Sequence, residues 1–264
     1  MDQTLAGRTA LITGSTSGIG HGIALLYAQT GARVMLNGFG KPEDIAKARG
    51  EIGAAMGMAE APYSAADLSK PEAVRQLVKD AEAALGSVDI LVNNAGIQFV
   101  APIDEFPEDK FDAIIAINFT SNFHAIKAAL PGMKARNWGR IINIASAHGL
   151  VASPYKSAYV SAKHGLLGLT RTAALEAADK GVTVNALCPS YVRTPLVEAQ
   201  IADQARVHGV PASEVVSRIL LTRNAVKRLI EPSEVARYAA FLCREEAWSI
   251  TGTAITMDAG WLAH

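Results

Sequence analysis

A tyrosine and a lysine four residues apart, Tyr159 and Lys163, could together move a proton. Residues at this spacing lie one above the other on one face of a helix. A free tyrosine has a pKa of about 10, but a nearby ammonium group stabilises the phenolate and lowers that pKa. Ser146 comes 13 residues before Tyr159, and its hydroxyl could hydrogen-bond a reacting oxygen. The tyrosine–lysine spacing also occurs by chance, so its meaning depends on the elements that position it.

Short apolar strands that alternate with longer helices must position these residues. Apolar or β-branched runs predict buried strands at 9–13, 33–37, 89–95, 140–146, 182–189 and 254–260. Helical spacing of apolar residues predicts helices at 18–31, 70–86, 108–136 and 154–180. The alternation predicts one α/β domain over residues 1–264, with a Rossmann-like, doubly wound parallel sheet. Ligands in this architecture bind beyond the carboxyl ends of the strands.

The segment TGSTSGIG places Gly14, Gly18 and Gly20 between the first predicted strand and the first predicted helix. At such a turn the backbone approaches a pyrophosphate closely, and the helix N-terminus faces the anion. The alternative is a flexible glycine turn, but the strand-turn-helix position favours dinucleotide binding. The expected cofactor contacts are Gly14, Ser15, Thr16, Ser17, Gly18, Ile19 and Gly20.

The end of the second strand, near Gly38, should meet the adenine ribose. Positions 38–40 hold no acidic residue that would select NAD. Neither these positions nor positions 15–17 hold an arginine that would bind the phosphate of NADP. Phe39 could pack against the adenosine, and we expect NAD, although Lys41 lies nearby.

Two later strand ends could complete the cofactor site. Asp67 could accept the adenine amino group beside Leu68, although a solvated loop aspartate is nearly as consistent with the sequence. The segment NNAG could let a cofactor lie against the backbone, and a capped strand-to-helix turn is the alternative. The contacts expected in NNAG are Asn94, Ala95 and Gly96.

The overall composition favours a small-molecule partner. Half of the 264 residues are hydrophobic, and 25 Lys and Arg balance 25 Asp and Glu, which disfavours nucleic acid or an anionic membrane. Cys188 and Cys243 have no CxxC spacing, which disfavours a disulfide framework and a metal site. The first apolar run is too short for a signal peptide or membrane span, so a cytoplasmic protein is expected.

Three polar residues near the expected cleft could bind an anion. Ser153 and Pro154 resemble an N-cap followed by a first-turn proline, which would place Lys156 on the face of the tyrosine–lysine pair. Gln98 and His148 follow strand ends and could also donate hydrogen bonds to a carboxylate. A solvated lysine is the alternative for Lys156.

Residues 191–226 are too many for an ordinary strand-helix connection and predict a helical substrate lid. Closure of such a lid would exclude water from the site. A rigid packing or oligomer-contact segment is an equally good interpretation.

The chain resembles the short-chain dehydrogenase/reductase family over essentially its whole length. The resemblance rests on TGSTSGIG, NNAG, Asn118, Ser146, YVSAK and CPSYVRTP. It implies a nicotinamide-dependent oxidoreductase in which Ser146, Tyr159 and Lys163 are catalytic and Asn118 supports a proton relay. Tyr159 and Lys163 would also contact the cofactor, whose positive oxidised ring would act with the lysine to lower the tyrosine pKa. A homotetramer is also implied. Further cofactor contacts implied by the last motif are Pro189, Val192 and Thr194.

Within that family the chain resembles the D-3-hydroxybutyrate dehydrogenases, through VRTPLVEAQ and the three anion-binding candidates. This implies reversible NAD-dependent oxidation of a short hydroxy acid to a keto acid. Ser190 and Tyr191 stand where the resembling enzymes commonly have Gly-Trp, which puts pocket size and polarity in doubt. Another hydroxy acid, a sugar or an acyl thioester stays open as substrate, as does a sensor without catalysis. The implied substrate contacts are Gln98, Ser146, His148, Lys156, Tyr159, Tyr191, Gln200 and Trp261.

Overall fold

A seven-stranded sheet forms the centre of the computed structural model, which describes residues 3–263. Its strands are β1 (Thr9–Ile12), β2 (Arg33–Asn37), β3 (Tyr63–Ser64), β4 (Ile90–Asn93), β5 (Gly139–Ile144), β6 (Val182–Pro189) and β7 (Ala254–Met257). They are ordered β3-β2-β1-β4-β5-β6-β7, and every pair is parallel. The Rossmann-like fold expected from the alternation of elements is confirmed.

Helices cover both faces of the sheet, because the apolar strands must be buried on each side. The first six helices are α1 (Gly18–Gln29), α2 (Pro42–Ala55), α3 (Pro71–Leu85), α4 (Glu108–Ile115), α5 (Ser121–Ala135) and α6 (Ser157–Ala177). Next come α7 (Pro195–Ala199), α8 (Ile201–His208) and α9 (Pro232–Leu242). On one face, α1 and α9 pack together around Ile23 and Val235, whereas Val78 of α3 and Ile126 of α5 belong to the core of the other face.

The chain reverses its direction across the sheet between β1 and β4. From β1 it proceeds outward through β2 to β3, and it then returns to pair β4 with the opposite edge of β1, Ile12 beside Val92. The two connections leave the strands on opposite sides, which opens a crevice at the carboxyl ends. The glycine turn follows β1 at this point, so the fold places the expected ligand site at its topological switch.

The start of α6 differs from the prediction. The helix begins at Ser157, and Pro154 lies in a turn before it. Tyr155 has a φ of 67°, in the left-handed region that a right-handed helix excludes. Its carbonyl accepts a hydrogen bond from the Ala101 amide at 3.0 Å, and its ring lies edge-on to that of His208 on α8, with 5.4 Å between ring centroids. The predicted N-cap at Ser153 and the first-turn position of Lys156 are therefore wrong.

The segment 191–226 is largely helical, as its length predicts, and its movement as a substrate lid stays a prediction. It contains α7 and α8, a 3-10 turn at Ala212–Glu214 and a π-helical turn at Val216–Leu220. The predicted helix at 108–136 consists of α4 and α5 joined by a π-helical turn at Ala116–Thr120. Two helices, α2 and α9, were not predicted from the sequence.

Candidate active site

A cavity of about 360 Å³ lies beyond the carboxyl ends of the central strands, where the fold predicts a ligand site. Most of the predicted site residues line it. They are Gly14, Thr16, Ser17, Gly18, Ile19, Phe39, Leu68, Asn94, Ala95, Gly96, Gln98, Ser146, His148, Lys156, Tyr159, Lys163, Pro189, Tyr191, Val192, Thr194 and Gln200. The cavity therefore joins the glycine turn to the tyrosine–lysine pair.

Backbone packing shapes the glycine turn at one end of this cavity. Gly14 has a φ of 61°, and a Cβ placed on it would lie 2.8 Å from the Cα of Ala95. A Cβ on Gly20 would meet the carbonyl oxygen of Gly14, so the third glycine allows helix and strand to pack closely. Ser17 is the N-cap of α1, and its side chain makes no capping hydrogen bond within the described part of the chain. The first turn of the helix is thus open to an anion.

Asn94 connects the NNAG segment to the glycine turn. Its Nδ2 donates to the carbonyl oxygens of Thr13 and Gly14 at 2.9 and 2.8 Å. The Thr13 hydroxyl accepts hydrogen bonds from the amides of Asn94 and Ala95. These bonds fix the two strand ends against each other and leave small residues facing the cavity.

The end of β2 explains why an acidic side chain is absent near the expected ribose position. A Cβ on Gly38 would lie 2.8 Å from the Thr16 hydroxyl oxygen, so a larger residue does not fit without movement. The preceding Asn37 uses its Nδ2 to bind the carbonyls of Ser64 and Ala66, both at 3.1 Å. Phe39 is 64% exposed at the rim of the cavity.

Tyr159 and Lys163 lie on the first turns of α6, with Ser146 just beyond the end of β5. The Lys163 ammonium donates to the Ile144 carbonyl at 2.7 Å and lies 5.5 Å from the centroid of the Tyr159 ring. The Ser146 hydroxyl oxygen accepts the amide of His148 at 3.1 Å, and Ser146 and Tyr159 both line the cavity here. The three residues are brought together at one point of the cavity wall.

Burial controls the pKa values of the tyrosine–lysine pair. It raises the pKa of Tyr159 to about 12, although the hydrogen bond with Ser146 lowers it. Burial also lowers the pKa of Lys163 to about 8. In the protein alone, desolvation of the phenolate is the largest effect, and the lowering expected from the lysine together with the oxidised cofactor stays a prediction.

Asn118 does not line the cavity, although it was predicted as a catalytic residue. It lies in the π-helical turn between α4 and α5 and is fully buried. Its Oδ1 accepts the Ile97 amide at 2.8 Å, and its Nδ2 donates to the Ile97 carbonyl at 2.9 Å. The side chain thus anchors the segment after NNAG, and its part in a proton relay stays a prediction.

Polar groups with few partners occupy the other end of the cavity. The Lys156 side chain is 3% exposed, and its ammonium donates to the Tyr191 hydroxyl at 3.3 Å. Within the described residues, Gln98 Oε1 and His148 Nε2 are buried without a hydrogen-bond partner. Burial lowers the pKa of Lys156 to about 8 and, with the Lys156 charge, that of His148 to about 3. At neutral pH the lysine is charged and the imidazole is neutral.

Trp261 lies behind this end of the cavity rather than on its wall. Its ring stacks on Tyr191, with 5.9 Å between centroids, and is roughly perpendicular to the His148 ring, with 5.0 Å between centroids. Trp261 thus packs against two lining residues, and its contact with a substrate stays a prediction. Gln200 does line the cavity, and its Nε2 donates to the Leu196 carbonyl at 3.0 Å.

Three predicted cofactor residues also do not line the cavity. The Ser15 hydroxyl is buried and donates to the Ile12 carbonyl at 2.8 Å, and Gly20 lies beneath the turn. The Asp67 carboxylate accepts hydrogen bonds from the amide and hydroxyl of Ser69 at 3.0 and 2.7 Å. Asp67 thus hydrogen-bonds within its own loop, and its contact with the adenine amino group stays a prediction.

Several lining residues were not among the contacts predicted from the sequence, and most of them are apolar. Some lie at or just after the ends of predicted strands, and they could have been found by assuming that every strand end lines the site. Others come from the segment 191–226, whose path a sequence does not show. The missed residues are Asn37, Gly38, Ala66, Ile97, Ile117, Ile144, Ala145, Ser190, Pro195, Leu196 and Val197.

Comparison with known proteins gives a consistent result. A profile of the short chain dehydrogenase family matches residues 8–205. The D-beta-hydroxybutyrate dehydrogenase of Rhizobium meliloti (strain 1021) is 51% identical over 257 residues, 97% of this chain and 99% of the relative. That of Cupriavidus necator is 49% identical over 260 residues, 98% of this chain and 100% of the relative. An acetoacetyl-CoA reductase of Shinella zoogloeoides is 36% identical over 253 residues, 96% of this chain and 98% of the relative.

A solved structure of a proposed short-chain alcohol dehydrogenase from Sinorhizobium meliloti 1021 has the same fold, with a TM-score of 0.89 and 35% identity. The alignment covers 100% of this chain and 99% of that one. Over residues 3–263, none of the helices has the length and apolar character needed to cross a membrane. The family profile, the relatives and the shared fold confirm the family resemblance, and the chain belongs to the short-chain dehydrogenases.

Proposed function

We propose that the protein oxidises D-3-hydroxybutyrate to acetoacetate with NAD, and catalyses the reverse reaction. The observation that carries this proposal is Lys156, an ammonium group buried in the cavity wall near Tyr159. Among the lining residues, all of which belong to the described chain, none is Asp or Glu. A buried cation without an acidic partner is costly and is stabilised when an anion binds. A substrate carboxylate supplies that anion, which agrees with the names of the two relatives at about half identity.

The cavity fits the nicotinamide dinucleotide that the family implies. The glycine turn and the open N-terminus of α1 suit a pyrophosphate, and Gly96 and Ala95 leave room beside the strand ends. Gly38 leaves no carboxylate at the ribose position, and the absence of arginine at 15–17 and 38–40 favours NAD over NADP. When bound in its oxidised form, the dinucleotide supplies the hydride acceptor and a positive charge beside the phenol.

Tyr159 serves as the general base in the direction of alcohol oxidation. Its phenolate oxygen takes the proton of the substrate hydroxyl, while the Ser146 hydroxyl hydrogen-bonds the same substrate oxygen. This requires the pKa of Tyr159 to fall from about 12 in the protein alone. The Lys163 ammonium, 5.5 Å from the ring centroid, contributes positive charge that favours the phenolate. Lys163 would also hold the ribose hydroxyls near the nicotinamide.

The substrate carboxylate is bound at the opposite side of the reacting carbon. Lys156 supplies the charge, and Gln98 and Gln200 supply amide donors. His148 is neutral, so it donates from one ring nitrogen only. With the proton on the unpartnered Nε2, the ring can donate to the carboxylate, and the Ser146 proton stays available for the substrate oxygen.

A substrate panel tests the proposal. Formation of reduced cofactor is followed with both 3-hydroxybutyrate enantiomers, longer 3-hydroxy acids, a neutral secondary alcohol and 3-hydroxybutyryl-CoA, each with NAD and NADP. We expect the highest kcat/KM with D-3-hydroxybutyrate and NAD. Preference for the neutral alcohol would refute carboxylate binding by Lys156, and preference for the thioester would make the protein an acyl-thioester enzyme. Cofactor binding without turnover of any substrate would indicate the sensor.

We further propose that the enzyme is a cytoplasmic homotetramer, as the family resemblance implies. Two aromatic side chains of α9 are partly exposed, Tyr238 at 51% and Phe241 at 43%. Sedimentation of the purified protein measures the oligomeric state, and a monomer at micromolar concentration would overturn this assignment.

A further inference from the structure

Tyr191 is held rigidly at the substrate end of the cavity. Its ring stacks on Trp261 with an angle of 13° between the planes. It is roughly perpendicular to the His148 ring, with 6.2 Å between the two centroids. Its carbonyl accepts the Ile230 amide at 3.0 Å, and the preceding Ser190 accepts a hydrogen bond from Asn224 at 3.1 Å. The position of the hydroxyl group is therefore fixed before any substrate arrives.

That hydroxyl is the hydrogen-bond acceptor of Lys156. The Lys156 Nζ lies 3.3 Å from Tyr191 Oη and 5.1 Å from the ring centroid. Within residues 3–263, Lys156 Nζ makes no other hydrogen bond and no ion pair. Tyr191 thus supplies the one polar contact that keeps this buried ammonium in the cavity wall.

The hydroxyl retains a proton to donate. Burial raises the pKa of Tyr191, with Tyr159 nearby adding to the effect, so the phenol stays neutral. A neutral phenol can accept from Lys156 and donate its own proton at the same time. An indole has only a donor and a phenyl ring has neither, so neither tryptophan nor phenylalanine can do both.

We propose that Tyr191 is a specificity-determining residue, which positions Lys156 and donates its hydroxyl hydrogen bond to the same substrate carboxylate. The proposal rests on the proposed function, because it names the recognition of that carboxylate. Two donors on one anion, one of them charged, select a free carboxylate over a thioester or amide of the same length, which carries no charge. The substrate class is therefore the free 3-hydroxy or 3-oxo acid.

The test compares Tyr191→Phe and Tyr191→Trp with wild type, and uses Tyr238→Phe on the exposed side of α9 as a matched control. Calorimetry in the presence of NAD measures the Kd of butyrate, which lacks the reacting hydroxyl, and of neutral butyramide. We expect both Tyr191 variants to bind butyrate about tenfold more weakly, with NAD and butyramide binding unchanged. The KM for D-3-hydroxybutyrate should rise by a similar factor, with kcat within about twofold. Tyr238→Phe should match wild type.

The Lys156→Met variant is used as a second background, in which a specific effect of Tyr191→Phe can be distinguished from a loss of folding. In Lys156→Met, the further change Tyr191→Phe should weaken butyrate binding less than it does in wild type, because the two groups act on one anion. Equal butyrate affinity in wild type and Tyr191→Phe would overturn the inference, as would absence of butyrate binding to wild type. If butyrate binds and depends on Tyr191 but D-3-hydroxybutyrate is not oxidised, the proposed function fails and the Tyr191 assignment stands.

Discussion

The two ends of the cavity are built on different principles. At the cofactor end the polar groups already bond one another, as Asn94 does with the carbonyls of Thr13 and Gly14. At the substrate end Gln98 Oε1 and His148 Nε2 are buried without partners in the described chain, and Lys156 has only a phenol. Backbone shape therefore suits the dinucleotide that the family implies, whereas the unsatisfied side chains at the other end are the groups that we propose bind the substrate carboxylate.

The largest effect is expected at Tyr159, which lies between the two ends. Tyr159→Phe keeps the ring and removes the proton acceptor, so kcat should fall about 10³-fold, within the range of general acid–base catalysis. The Kd for NAD, measured by fluorescence titration, should change less than twofold. Retention of substantial turnover would refute Tyr159 as the base.

A substitution that changes the shape of the glycine turn should weaken cofactor binding. Gly14→Ala places a methyl group 2.8 Å from the Cα of Ala95 at a φ of 61°, and the turn must move. We expect about a 100-fold weaker Kd for NAD, since a small displacement of a binding group has effects of this size. Gly40→Ala is the control, because its nearest neighbour atom would lie 3.7 Å away. Equal NAD affinity of the two variants would contradict the role given to the turn.

A change of charge should damage only the substrate end. Lys156→Met removes the ammonium and keeps an unbranched apolar chain, so the KM for D-3-hydroxybutyrate should rise about 50-fold. NAD binding should be unaffected. A comparable loss with a neutral secondary alcohol would show that the substitution had disturbed the cavity rather than removed an anion contact.

The same substitution should stabilise the fold. The folded pKa of Lys156 is about 8, below the ordinary 10.5, so burial penalises the charged form by about 3 kcal/mol. This penalty is full below pH 8, where the lysine is charged in both states, and it disappears as the pH rises towards 10.5. Lys156→Met should therefore raise the free energy of unfolding in urea at pH 7, and its advantage should shrink at pH 9 and 10. Exposed Lys47→Met is the control and should show neither effect.

Sequence patterns predicted the strands and the cavity lining well, because both follow from periodicity and from where strands end. Lys156 was correctly expected near the tyrosine–lysine pair. It was placed there as a residue of the first helical turn, however, and α6 begins only at Ser157. The left-handed backbone of Tyr155 delays the start of α6 to Ser157, and the Tyr155 carbonyl accepts a tertiary hydrogen bond from the Ala101 amide that no local pattern shows. The effect of burial on the pKa of Tyr159 in the protein alone could not be predicted either, because depth of burial is not visible in a sequence.

The left-handed backbone conformation of Tyr155 limits the residue types that can occupy position 155. Most residues resist a φ of 67°, whereas glycine and asparagine adopt it readily. Either of those would relieve strain of order 1 kcal/mol or more, but would remove the ring that meets His208. Natural variation and laboratory selection at position 155 should therefore divide between residues that relax the turn and aromatic residues that keep the contact with α8.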